Sequence, residues 1–354
     1  MFQKVRFATV VLLALALLTA CGRGAAVKKE TAPAAPVPGG TAAAPVEKMV
    51  VKFSHVVAES TPKGQASLKF ADEVKKLSNG RIEVQVFPNS QLYKDGEEIE
   101  ALQKGAVHFL APSTSKFTQW VPQWQLFDLP FAFEDTKAVQ KAMEGPIGQK
   151  LFSLLEQKGM LGLGMWDNGF KVMSNSKRPL VKVDDFKGLK FRVQPAKVLE
   201  AQFKTWNASA VAMPFSEVYQ ALQSGVVDGA ENPPSNLYSQ KMHEVQKYVT
   251  VSNHGYLGYA VVTNAEWWKG LKPEDRKIFE EALKTSTDWV RTEAEKLNAA
   301  DLEKVKASGK SEVIVLGEAD RQAWTEASET VWAEFEGSIG KDLLDALRAL
   351  RTKK

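Results

Sequence analysis

The 354-residue sequence has a single cysteine, Cys21, and four histidines. One cysteine cannot form an internal disulfide or a thiolate zinc site, and the histidines show no metal-ligand spacing such as HExxH. Walker sequences, dinucleotide-binding glycine patterns and serine elbows are also missing. The sequence therefore predicts no metal site, no cofactor and no enzyme activity.

An excess of charge of one sign is lacking as well. Lys and Arg total 46 and Asp and Glu total 42, which gives a formal charge of +4. If residues 1–20 are removed, Lys4 and Arg6 go with them and the charge falls to 4 − 2 = +2. This near-neutrality gives no electrostatic reason to expect binding to nucleic acid or to an acidic membrane surface.

Long hydrophobic runs are restricted to the N-terminus, where Lys4 and Arg6 precede VVLLALALL and the sequence LLTAC ends at Cys21. This order of charged, apolar and small residues predicts an export signal over residues 1–20. Because LTAC resembles a bacterial lipobox, we expect a lipoprotein signal peptide and lipidation of Cys21. An ordinary signal with an incidental cysteine is the alternative.

Residues 21–48 are rich in Ala, Pro and Gly and offer no large apolar residue to bury. Folding of this segment would not offset its conformational entropy, so we expect a linker that spans on the order of 30 Å as a coil. No second run is apolar and long enough to cross a membrane. The mature protein is therefore expected outside the cytoplasm, in the periplasm or at the cell surface, held by its lipid anchor.

The first half of the remaining chain alternates between strand and helix patterns. VVKFSHV predicts a strand, and Thr61 and Pro62 predict the start of a helix that ends at Gly80. The apolar stripe of this helix consists of Ala66, Phe70, Val74 and Leu77. RIEVQVFP and AVHFLAPS predict two further strands, with a short helix in GEEIEALQKG between them.

The second half repeats this order. GLKFRVQP echoes GRIEVQVFP, and QALQSGVV echoes EALQKGAV. Together the echoes predict two similarly built α/β lobes. Because ligands of open α/β sheets lie off the carboxyl ends of the strands, we expect the loops at Ser113 and after Asp228 to face one cleft.

A long helix is predicted from Pro273, because about 35 residues follow without proline or glycine until Gly309. Such a helix would run roughly 50 Å, so we expect it to lie across both lobes. The predicted boundaries assign 49–168 and 258–297 to lobe I, and 169–257 and 298–354 to lobe II.

Several polar residues have two interpretations. Arg192 belongs to an alternating strand, GLKFRVQP, in which it either faces water or holds a ligand. Asn168, Lys171 and Asn232 lie in turn-like sequences, where they either serve turn geometry or converge on an oxyanion. The tryptophan-rich FTQWVPQWQLFDLPFAF is interpreted as core or lobe-interface packing.

Longer stretches resemble a known family. VKFSHVVAESTPKG, VFPNSQLYKDGEEIEALQKGAVHFLAPS, WDNGFKVMSN, FKGLKFRVQ and MPFSEVYQALQSGVVDGAENPPSN are similar to the extracytoplasmic solute-binding proteins of TRAP transporters, the DctP type. The resemblance continues through QKMHEVQKYVTVSNHGYLGYAVVTN. It implies a two-lobed, periplasmic-binding-protein-like fold that closes on an organic acid and delivers it to a permease with small and large subunits.

The resemblance also implies site residues. In the family, the arginine of the GLKxRV strand pairs with the ligand carboxylate and the asparagine of ENP commonly joins it, which here are Arg192 and Asn232. Lys171 stands where relatives often have a second arginine. The other implied cleft residues are His55, Lys63, Ser113 and Asn168.

The implied ligand is a C4-dicarboxylate such as malate, succinate or fumarate. A 2-oxo, aromatic or sugar acid is the first alternative, since Lys171 replaces an arginine. A lobe that senses ligand for a membrane kinase is the second.

Overall fold

The computed structural model describes residues 47–352. The predicted signal peptide, Cys21 and the linker up to residue 46 lie outside the described residues. Among the helices that are described, none has the length and the apolar character needed to cross a membrane.

Strands and helices, numbered in chain order, account for most of the described residues. The strands are β1 (Met49–Ser54), β2 (Ile82–Phe87), β3 (Phe109–Leu110), β4 (Met160–Phe170), β5 (Val172–Asn175), β6 (Lys190–Val193), β7 (Ser209–Ala212), β8 (Gly229–Asn232), β9 (Tyr248–Val251), β10 (Tyr256–Asn264) and β11 (Glu312–Val315). The α-helices are α1 (Pro62–Leu77), α2 (Glu97–Gln103), α3 (Thr136–Glu144), α4 (Pro146–Glu156), α5 (Lys197–Thr205), α6 (Val218–Gln223), α7 (Pro234–Ser239), α8 (Ala265–Gly270), α9 (Pro273–Ala307), α10 (Glu318–Ala327), α11 (Glu329–Ile339) and α12 (Lys341–Thr352). Short 3-10 helices lie at Thr114–Gln119, Pro122–Asp128, Val183–Phe186, Phe215–Glu217 and Met242–Glu244.

The strands form two sheets, one in each lobe, with the orders β2-β1-β3-β10-β4 and β11-β9-β5-β8-β6-β7. β1 pairs in parallel with β2 and β3, and β6 pairs in parallel with β7 and β8. The same three-strand unit thus begins each half, which confirms the prediction of two similarly built α/β lobes. The two similar sequences do not form equivalent strands, however. RIEVQVFP forms the edge strand β2, whereas GLKFRVQP forms β6, which lies between β8 and β7.

The chain crosses between the lobes at several points. β4 continues through Lys171 into β5, and β9 returns through 252–255 to β10. The 35-residue helix α9 packs against α1 and β4 in the first lobe and against α7 in the second. The prediction of a long helix across both lobes is confirmed.

Local signals placed the helix α1 correctly. The Thr61 side chain accepts a hydrogen bond from the Gly64 backbone N–H at 3.2 Å, and Pro62 is the first helical residue. The predicted third strand is shorter than expected, since β3 covers only Phe109–Leu110. Pro112 follows closely and cannot donate a ladder hydrogen bond, which limits the extension of β3.

Four clusters of buried side chains form the core. The tryptophan-rich segment is packing, as predicted: Trp124 is buried in the first-lobe cluster and Phe131 in a second-lobe cluster. Helices α11 and α12 pack on the first-lobe cluster, through Val331 and Leu344 among others. The lobe boundaries stay a prediction.

Candidate functional site

Arg192 lies on β6 with 0% of its surface exposed, so it does not face water. Its Nε and Nη2 donate to the backbone carbonyl of Met213 at 3.1 and 2.8 Å. Nη1 is buried and has no hydrogen-bond partner among the described residues. The interpretation of Arg192 as part of a wet face is therefore wrong, and its Nη1–Nη2 edge presents donors that suit a carboxylate.

Asp95 lies in the turn before α2, and its carboxylate connects the first lobe to Arg192 of the second. Its Oδ2 accepts from the Phe215 backbone N–H at 2.7 Å and lies 3.1 Å from Lys116 Nζ and 3.9 Å from Arg192 Nη2. Burial alone would raise the pKa of Asp95, but the charges of Lys116 and Arg192 hold it below its usual value. Asp95 is therefore an ionised link between the lobes.

Lys63 of α1 is a third buried cation in this region. Its Nζ donates to the Ala111 carbonyl at 3.0 Å and lies 4.0 Å from the centroid of the Tyr259 ring. Burial lowers the pKa of Lys63 to about 8, although the nearby carboxyl group of Glu98 opposes the change. The ammonium therefore keeps most of its charge at neutral pH.

His55 and Ser113 are two further buried residues of the first lobe. Burial, with a smaller effect of Lys63, lowers the pKa of His55 to about 3, so the imidazole is neutral. Its Nε2 lies 3.2 Å from the Ser67 hydroxyl. The Ser113 hydroxyl donates to Gln194 Oε1 at 2.8 Å and so connects the first lobe to the residue after β6.

Asn168, near the end of β4, already has protein partners on its side-chain amide. Its Nδ2 donates to the Tyr259 hydroxyl at 2.8 Å and to Asn236 Oδ1 at 3.1 Å, while its Oδ1 accepts from the Ser235 hydroxyl at 2.9 Å. Asn236 and Ser235 belong to α7, in the other lobe. The chain after Asp228 forms β8 and then α7 rather than a loop, and α7 contacts Asn168 of the first lobe. A cleft shared with Ser113 stays a prediction.

Lys171 is paired within the protein. Its Nζ lies 2.6 Å from Glu231 Oε1, and His254 Nε2 lies 2.8 Å from the other oxygen of the same carboxylate. Burial would raise the pKa of Glu231, but Lys171 and His254 together lower it to about 2. This buried group occupies the crossing between the lobes, and the charge of Lys171 is already balanced there.

Asn232 ends β8, which pairs with the strand of Arg192. Arg192 lies opposite Ala230 in the parallel register, so Asn232, two residues further on, shares the face of the sheet on which Arg192 lies. The Asn232 amide lies 3.7 Å from Met242 Sδ. Asn232 is thus placed near Arg192, towards the carboxyl end of the sheet.

Five buried ionisable groups lie close together, and we call them the charged cluster: Lys63, Asp95, Glu98, Lys116 and Arg192. Sequence analysis predicted Lys63 and Arg192 and missed the other three. Glu98 had a signal, because it falls on the buried stripe of α2 with Ile99 and Leu102. Asp95 and Lys116 lie outside regular α-helices and had none.

A metal is not suggested by this arrangement. Within residues 47–352, His, Cys, Asp and Glu side chains form no group that could hold a metal ion. The cations of the charged cluster suit an anionic ligand instead.

Comparison with known proteins agrees with this geometry. Residues 53–338 match the bacterial extracellular solute-binding proteins of family 7, DctP. The C4-dicarboxylate-binding periplasmic protein DctP of Rhodobacter capsulatus is 54% identical over 258 residues, which cover 73% of this chain and 77% of that protein. The TRAP periplasmic solute-binding protein of Shewanella oneidensis, solved with bound succinate, has a TM-score of 0.84 and 44% identity, over 86% of this chain and 99% of that one.

A relative with another ligand has the same fold. The sugar acid binding protein DctPAm of Advenella mimigardefordensis, solved with galactonate, has a TM-score of 0.84 and 32% identity, over 87% of this chain and 99% of that one. The predicted resemblance is confirmed, and so is the expectation of a binding protein rather than an enzyme. The chain belongs to the DctP family of TRAP-transporter solute-binding proteins.

Proposed function

We propose that this protein captures a C4-dicarboxylate such as malate, succinate or fumarate and delivers it to a TRAP permease with small and large membrane subunits. The observation that carries the proposal is the buried Arg192, whose Nη1 finds no partner in the described part of the chain. Lys63 and Lys116 lie in the same charged cluster. These cations outnumber the ionised Asp95, which favours a small anion.

The residues take different parts in this proposal. Arg192 binds one carboxylate through its free edge, and Asn232 joins it from the same face of the sheet. His55, Lys63, Ser113 and Asn168 are proposed to line the cleft. Lys171 is proposed to act on the site through Glu231 and His254, because its charge is already paired.

A thermal-shift and calorimetry panel with succinate, malate, fumarate, butyrate and galactonate tests the proposal. A ligand that binds the native state alone raises the unfolding temperature with its concentration. We expect the dicarboxylates to stabilise the protein and butyrate to bind at least roughly a hundredfold more weakly, because it would leave buried donors unpaired. Equal binding of butyrate and succinate would refute the dicarboxylate assignment.

A second candidate ligand class is supported by the galactonate complex of the Advenella mimigardefordensis relative. Stabilisation by galactonate, or by a 2-oxo or aromatic acid, with no response to succinate would favour that class. The role as a carrier of organic acids would remain.

We also infer that the protein is lipid-anchored through Cys21. Support comes from the sequence LTAC alone, since Cys21 lies outside the described residues. Acylation needs the thiol, and stable attachment needs more than one acyl chain. Cys21→Ser should move the protein from the membrane fraction to the soluble fraction and change its mass, whereas an unchanged fraction and mass would contradict the anchor.

A further inference from the structure

Glu98 is a buried carboxyl group whose position the contacts above leave unexplained. It lies on α2 with 1% of its surface exposed, and neither carboxyl oxygen has a hydrogen-bond partner within residues 47–352. A buried polar group without a partner is costly, and an ionised carboxylate is more costly still. Hydrogen bonding within the described residues therefore gives no reason for a glutamate at this position.

Charged and titratable groups from several elements surround Glu98. They are Lys63 of α1, Asp95 of the turn before α2, Lys116 of a 3-10 helix and Tyr259 of β10, with His55 beside Lys63 and Arg192 beside Asp95. Burial raises the pKa of Glu98 to about 8; the negative charge of Asp95 adds to the rise, and the charges of Lys63 and Lys116 oppose it. At neutral pH Glu98 therefore carries a proton, and its O–H is a hydrogen-bond donor.

The formal charge of the charged cluster agrees with a neutral Glu98. Its three cations and the single ionised carboxylate of Asp95 sum to 3 − 1 = +2. A C4-dicarboxylate at neutral pH carries the opposite charge. An ionised Glu98 would lower the sum to +1 and would place a second like charge against the ligand.

We propose that Glu98 is a specificity-determining residue whose O–H donates a hydrogen bond to the second carboxylate of the ligand, next to the Lys63 ammonium. This inference rests on the proposed function, because it requires a ligand with two carboxylates. A monocarboxylate would leave the Glu98 O–H without a partner in a buried site, and Lys63 would have no ligand carboxylate beside it. Arg192 and Glu98 thus bind opposite ends of the ligand, and together they select its length.

Calorimetry with succinate and butyrate at pH 7 tests the inference with Glu98→Gln, Glu98→Met and the control Glu100→Gln. Glu100 lies on the same helix with 63% of its side chain exposed. Glu98→Gln keeps a neutral donor and should stay within about threefold of the wild-type affinity for succinate. Glu98→Met lacks a donor and should lose at least roughly tenfold for succinate with little change for butyrate.

Infrared difference spectra give a second readout that does not depend on Glu98→Met folding. Succinate should shift the carbonyl stretch of a protonated carboxylic acid in the wild type and in Glu100→Gln, and this signal should be missing in Glu98→Gln. Wild-type succinate affinity in Glu98→Met, or a signal that persists in Glu98→Gln, would overturn the inference alone. A wild type that binds no dicarboxylate would instead refute the proposed function, and the inference with it.

Discussion

Replacing Arg192 with alanine should remove most of the affinity for the ligand. The guanidinium is fully buried, donates twice to the Met213 carbonyl, and keeps Nη1 free of partners in the described chain. Truncating one partner of a buried charge pair costs about 2–5 kcal/mol, because the other charge is left buried and unpaired. This cost corresponds to a loss of affinity on the order of 30-fold to several thousandfold.

Two further variants sharpen the experiment. Arg192→Lys should recover only part of the affinity, because one ammonium cannot replace a planar fork that bonds the Met213 carbonyl and a carboxylate together. Lys190→Ala is the matched control, since Lys190 lies on the same strand and is exposed. Its removal should leave succinate binding unchanged.

Titration calorimetry with succinate at neutral pH measures the loss, and thermal unfolding without ligand tests whether each variant is folded. We expect Arg192→Ala to fold, because Asp95 keeps its contacts with Lys116 and the Phe215 N–H. A folded Arg192→Ala variant with near-native affinity would falsify the assignment of Arg192 as the main carboxylate-binding residue.

Two other properties of the site give further predictions. Succinate affinity should fall as pH rises from 7 to 9, by about tenfold for each proton lost. The reason is that the pKa values of Lys63 and Glu98 both lie at about 8, and each deprotonation lowers the positive charge of the charged cluster. Calorimetry that shows constant or rising affinity over this range would contradict the charge count. Glu231→Gln should lower the free energy of unfolding by about 3 kcal/mol, because it leaves the Lys171 ammonium buried without its counter-charge. Urea unfolding measures the change against the exposed control Glu244→Gln. Equal stability of the two variants would count against a structural role for the Lys171–Glu231 pair.

Much of the fold could be predicted because its signals are local. Thr61 and Pro62 mark the start of α1, and the stretch between Pro273 and Gly309 contains no helix-breaking residue, so α9 forms over its whole length. The repeated strand and helix patterns likewise predicted two parallel units. Each of these conclusions depends on residues close together in the chain.

Other features depend on residues that are far apart in the chain. β10 lies between β3 and β4 in the first sheet, and no local pattern places it there. Lys171 pairs with Glu231, which is 60 positions away in the chain, so its charge is not free for the ligand contact that the resemblance implied. Periodicity predicts which face of an element is buried, but not which charged residue from another element it meets.

Arg192 contacts Asp95 of the other lobe and is proposed to bind the ligand carboxylate as well. These two contacts link the closure of the lobes to ligand binding. Asp95 approaches Arg192 Nη2 at 3.9 Å and is held more closely by Lys116 and the Phe215 N–H, so the lobes can meet without using the Nη1 donors. The nearby ion pair of Lys94 and Glu217 also joins the lobes, but both side chains are about half exposed and such pairs contribute little. We expect the two lobes to close on the ligand, as the resemblance implies, and a ligand shifts such an equilibrium only by its preference for the closed state. The measured affinity should then include the free energy of closure. A change at Arg192 should alter both quantities, because Arg192 also contacts Asp95 of the other lobe.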